Sequence, residues 1–108
     1  MNLHITEAGQ AVVYYEDEHH LKDNFERFDR DNPHVYTTLC DLTRQWVDGG
    51  YGKLGIGMLF EVTRWKLRMS TVGEPIKLNN NYRAFYARKI MAEHPQWDGV
   101  FETRRQKG

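Results

Sequence analysis

Apolar residues recur along most of this chain at intervals of three and four, the spacing that aligns one face of an α-helix. From about His19 to Arg30, Leu21, Phe25 and Phe28 keep that spacing, and Asp31-Asn32-Pro33 interrupts it. Asn32 carries the side chain to accept a bond from a free amide as an N-cap, and Pro33 suits the first position of a new helix. That helix, about 33–48, is predicted to bury Val35, Tyr36, Leu39, Leu42 and Trp46, with Val47 beside them, until Gly49-Gly50 stops it. Gly52, Gly55 and Gly57 blur the next start. From Ile56 to about Met69, the residues Ile56, Leu59, Phe60, Val62, Thr63 and Leu67 cover more than one stripe, as expected of a mostly buried central helix.

A turn at Ser70–Pro75 follows, and Asn79-Asn80-Asn81 supply caps for a last helix, about 81–93. Tyr82, Phe85, Tyr86 and Ile90 share its apolar face, and Pro95 forbids its continuation. Ile76-Lys77-Leu78 alternates like a very short strand, and Gly99–Thr103 reads as a closing strand, so Ile76–Leu78 and Val100–Thr103 are expected to join in a small β element. Residues 1–18 form either a short hairpin turning at Ala8-Gly9-Gln10 or a loose leader ahead of Glu16-Asp17-Glu18. The expected fold is mainly α with a small β element (α+β), as one helical domain over 19–108. A chain of 108 residues fits a single domain.

Composition narrows the setting. A lone cysteine, Cys40, excludes an internal disulfide and favours a reducing compartment. No stretch approaches the roughly 20 apolar residues that span a bilayer, so a cytoplasmic, membrane-free protein is expected. Total charge is zero, but its distribution is uneven: residues 1–50 hold four Lys/Arg against ten Asp/Glu, and residues 51–108 hold eleven against five. A basic C-terminal half invites an anionic partner, although two oppositely charged halves also attract each other within one fold.

The last third carries the most suggestive arrangement. A buried helix, a connector, a polar-capped helix and a possible strand follow the order of a helix-turn-helix or winged-helix region, whose later helix enters the major groove. Asn80, Asn81 and Arg83 stand at the start of that helix, where Asn and Arg can read adenine and guanine edges. Arg83, Arg88 and Lys89 lie largely off its apolar face, and Arg104 and Arg105 follow on a basic tail, so all five are candidates to neutralise phosphates. The connector is longer than the usual turn, and only one strand follows. Asn residues used only as caps on a solvated helix face explain the same pattern.

Other chemistry is thin. Trp46, Trp65, Tyr82 and Tyr86 are expected in the core, and Trp97 is the aromatic expected to be partly exposed. Adjacent His19 and His20 point about 100° apart on a helix, while His4, His34 and His94 stand alone, so no metal or other cofactor is expected. Cys40 reads as a buried thiol. Gly52-x-x-Gly55-x-Gly57 lacks the Lys-Ser/Thr ending of a phosphate loop. No enzyme activity is expected.

Asn32-Pro33-His34-Val35-Tyr36 and Gly55-Ile56-Gly57-Met58-Leu59-Phe60-Glu61, with Arg64-Trp65, resemble a family of small uncharacterised proteins of tailed bacteriophages and prophages. The resemblance continues through Asn79-Asn80-Asn81, Tyr86-Ala87-Arg88, Pro95 and Gly99-Val100-Phe101-Glu102, over roughly residues 20–105. It implies a phage or bacterial cytoplasmic setting and no particular mechanism. The expected function is therefore non-catalytic binding of double-stranded DNA through the basic half. The alternative is a protein–protein interaction module that modulates a host or phage protein, whose acidic residues Glu16, Asp17, Glu18, Asp23 and Asp29 could imitate a nucleic-acid surface. A homodimer completing helix 56–69 is a third expectation.

Overall fold

The computed structural model describes residues 18–74 and 76–101. The expectations for residues 1–17, and for Arg104 and Arg105, lie outside the described residues. Four helices account for most of what remains: α1 (Glu18–Asp31), α2 (Pro33–Asp48), α3 (Ile56–Ser70) and α4 (Arg83–Glu93). A 3-10 turn, Asn80–Tyr82, leads into α4, and another, Pro95–Trp97, leads out of it.

Local chemistry sets these boundaries. Pro33 opens α2 as expected, but Asn32 makes no side-chain cap for that helix. Its amide Nδ2 and its backbone N–H instead both donate to the Phe28 carbonyl, at 3.0 and 2.9 Å, and so close α1. Serving the carbonyl behind it satisfies an orphaned acceptor at the end of one helix rather than a donor at the start of the next. At the other end of α2, a Cβ on Gly49 would sit 2.3 Å from the Tyr51 ring, and Gly50 has φ 74°. At Gly50 the positive φ disfavours any larger residue, whereas at Gly49 only the exposed Tyr51 ring would have to move aside. Asn79 caps the turn before α4, accepting from the Asn81 N–H at 2.8 Å, so of the three adjacent asparagines the first is the cap.

The expected β element is not shown, and residues 102 and 103 of its closing strand lie outside the described residues. Ile76–Leu78 is an extended connector with no ladder among the described residues. The only bridge described joins Leu54 to Phe101 in parallel, with the Leu54 N–H donating to the Val100 carbonyl at 2.8 Å. Lys53 adds a bond to the Gly99 carbonyl at 2.9 Å. The chain after α4 therefore returns to the loop before α3. That return buries Phe101 and Trp97, and Trp97 is 6% exposed rather than partly open, stacked on His94 at 4.5 Å. Val47, in turn, is exposed.

The core is built around aromatic rings. Tyr86 on α4 is fully buried and meets Phe25 of α1 at 4.8 Å, Tyr36 of α2 at 6.2 Å and Phe60 of α3 at 6.1 Å. Edge-to-face and offset pairs of this kind add about 0.5–1.5 kcal/mol each to simple burial. The Tyr86 hydroxyl donates to Asp29 of α1 at 3.1 Å, and Lys89 donates to the other oxygen of the same carboxylate. Val35, Leu39, Phe60 and Ile90 close the interior around them.

Two threonines are also wholly buried. Thr43 donates to the Leu39 carbonyl at 2.8 Å, whereas the Thr63 hydroxyl has no partner. An unpaired buried hydroxyl costs about 1–3 kcal/mol. Thr63→Val should accordingly raise the urea midpoint, and Thr43→Val should not. Equal destabilisation by both changes would contradict this account.

Burial, with the Asp29 charge adding to it, raises the Tyr86 pKa, and burial with the bond to Glu93 raises that of Tyr36. A phenol whose folded pKa exceeds its unfolded one leaves stability intact below about pH 10 and erodes it as pH climbs further. In an alkaline titration, Tyr36 and Tyr86 should ionise only as the helical circular dichroism is lost. Ionisation of all six tyrosines with helix content intact would contradict it.

Candidate interaction surface

The cations singled out in the sequence divide between several directions. Successive residues on α4 turn by about 100°, so Arg83, Arg88 and Lys89 project at roughly 100–140° from one another. Arg88 lies over the Phe85 ring at 5.2 Å. Lys89 is committed to Asp29 and lies over the Tyr36 ring at 4.5 Å, with only 29% of its side chain exposed. This pair also removes Asp29 from any free acidic surface.

Arg83, Asn80 and Asn81 do come together, at the start of α4. Arg83 Nε donates to the Asn80 carbonyl at 3.1 Å, and its guanidinium rests against Gly57, where a Cβ would stand 3.4 Å away. Arg64 of α3, which is not among the sequence-predicted site residues, completes this corner. It donates to the Asn80 side chain, to the Leu78 carbonyl at 2.8 Å and to Glu61 at 2.7 Å. Three acceptors occupy its fork, so Arg64 fastens the connector to α3.

The surface most unlike an ordinary solvated one lies on α3. Met58, Val62, Trp65 and Met69, spaced by four, three and four, are 46, 38, 62 and 67% exposed. They form one stripe turned away from Leu59, Phe60, Thr63 and Leu67, which face the core. Trp65 therefore lies outside the core that its helical spacing suggested, because α3 has apolar residues on two faces and the rest of the protein covers only one. Beside the first half of the stripe a groove of about 360 Å³ opens between α2 and α3, lined by Leu42, Trp46, Tyr51, Met58, Leu59 and Val62 among others. Trp46 donates its indole N–H to the Gly52 carbonyl at 2.8 Å and lies 4.9 Å from the Tyr51 ring. Its polar atom is thus satisfied on the loop side, and the groove is mostly apolar, with Gln45 among its lining residues.

A second cluster joins α2 to the end of α4. Cys40 Sγ lies 3.6 Å from His94 Nε2, and the Tyr36 hydroxyl donates to Glu93 at 2.6 Å. The sequence offered no partner for Cys40 or for His94, because 54 residues separate them. Burial pushes the Cys40 thiol above its ordinary pKa, although a bond with Tyr36 works in the other direction. A protonated, buried thiol is a packing group rather than a nucleophile. Among the described residues, no three His, Cys, Asp or Glu side chains converge as metal ligands, and no helix is long and apolar enough to cross a membrane. No protein-family model matches the chain, and no curated protein or solved structure matches it.

Proposed function

We propose that this chain is a non-catalytic protein-interaction module, in a phage or bacterial setting, that receives an apolar helical segment along α3. The observation that carries this reading is the stripe Met58-Val62-Trp65-Met69, continuous with the groove between α2 and α3. Contiguous exposed apolar surface is uncommon on a protein that works alone, and helix-in-groove recognition uses anchors at this spacing. Trp65 is the natural anchor, since tryptophan is enriched among residues that dominate binding energy.

A second reading retains double-stranded DNA as partner. It is favoured by the meeting of Asn80, Asn81 and exposed Arg83 at the start of α4, after a helix and connector in helix-turn-helix order. Asn80 or Asn81 would approach base edges, and Arg83, Arg88, Lys89, Arg104 and Arg105 would neutralise phosphates. A winged form of this arrangement would extend the Leu54–Phe101 bridge into the small β element. Against it stand the divergent directions of Arg83, Arg88 and Lys89 and the Lys89–Asp29 ion pair.

One pair of measurements separates the readings. The immobilised wild-type chain should retain one stoichiometric protein partner, either a second copy of itself or a protein of nuclease-treated bacterial lysate, and Trp65→Ala should lose it with little change in melting temperature, since Trp65 is outside the core. Capture that is indifferent to Trp65→Ala would contradict the interaction reading. A salt-titrated assay with mixed-sequence double-stranded DNA should show no binding. Tight binding that falls steeply with salt and weakens in Arg83→Ala would establish the DNA reading instead.

A further inference from the structure

We propose that the segment received on α3 is α3 of a second copy of this chain, running antiparallel about a two-fold axis between Val62 and Trp65. This rests on the reading of the α3 stripe as a docking face, and it names the occupant from the form of that face.

Intervals of four, three and four give Met58, Val62, Trp65 and Met69 the alternating d and a positions of a heptad seam. The two halves of the seam are unlike. Met58 and Val62 border the groove, whereas Trp65 and Met69 protrude farther, at 62 and 67% exposed, and are not among the residues that line it. An antiparallel pair sets Trp65 of one copy over Val62 of the other, and Met69 over Met58. Each protruding half then enters the groove beside the other copy's recessed half. A parallel pair would instead oppose Trp65 to Trp65 and leave both grooves unfilled. Self-complementarity of this kind is what a two-fold interface requires.

Charge agrees with the same arrangement. Glu61 and Arg68 occupy the g positions of this seam, and in antiparallel helices g faces g. Glu61 of each copy therefore faces Arg68 of the other, twice by symmetry. Both residues are exposed, and Glu61, although bound by Arg64, keeps 69% of its side chain accessible. The chain's zero net charge adds no overall repulsion between copies.

Sedimentation of the full chain, from low to high micromolar concentration, tests this. The wild type should reach about twice its 12.8 kDa mass, and Trp65→Ala should remain at 12.8 kDa with unchanged circular dichroism. Glu61→Arg and Arg68→Glu should each raise the dimer dissociation constant by about tenfold, and the double exchange should restore it. A dimer insensitive to Trp65→Ala, or to Arg68→Glu, would overturn the proposed pairing. A wild type monomeric throughout would also overturn it. In that case Trp65-dependent capture from lysate would leave the docking face standing with a different occupant, and absence of such capture would remove both readings.

Discussion

Tyr86 is the point through which the four helices are held to one another. Its ring touches one aromatic side chain from each of α1, α2 and α3, and its hydroxyl reaches Asp29. Helices of this length do not persist in water by propensity alone and depend on tertiary packing. A phenol at the centre needs a buried acceptor, and the acceptor brings a charge that must itself be matched. Lys89, one turn farther along α4, supplies that match. The ring, the carboxylate and the ammonium thus form one unit, and the orientation of α4 follows from it.

That orientation decides which parts of the surface remain available. With Tyr86 inward, Lys89 is held against α1 and Tyr36, Arg88 lies along Phe85, and Arg83 rests on α3 beside Gly57. The basic excess of the C-terminal half is thereby divided between internal partners and separate directions. The oppositely charged halves of the chain meet at one point at least, Asp29 with Lys89. Apolar surface shows the reverse pattern. α2 and α4 cover one side of α3, and the other is left with a tryptophan and two methionines in line. A docking face is the economical explanation of that asymmetry.

Much of the helical plan was readable in the chain. Pro33 and Gly49-Gly50 mark α2 because their effects are local: a missing donor with a fixed φ, and, at Gly50, a positive φ that favours glycine. The start of α4 was readable only approximately, since three consecutive asparagines compete to cap it and the 3-10 turn absorbs two of them. Trp65 and Trp97 were each placed on the wrong side of the surface. Periodicity reports that a residue belongs to an apolar face, but a helix apolar on two faces needs its neighbours to say which one is covered. Trp97 is buried with its ring against His94 and under Arg44 of α2, a tertiary arrangement that leaves no periodic trace. Asp29 and Lys89, 60 residues apart, are likewise invisible to local pattern. The α3 stripe carried a partial signal, for the excess of apolar residues there had suggested a second copy.

The claim at the centre of this account is that the outward face of α3 is covered in solution while the aromatic core stays as it is. Fluorine NMR of the chain labelled with 5-fluorotryptophan reads this directly, because the three tryptophans report separately on the groove, the stripe and the packed C-terminal turn. The account predicts that the Trp65 resonance, assigned by its loss in Trp65→Phe, shifts and loses its solvent isotope effect as concentration rises, while that of Trp97 stays fixed. A Trp65 resonance that remains solvent-exposed and unmoved at every concentration, with or without bacterial lysate proteins present, would contradict it.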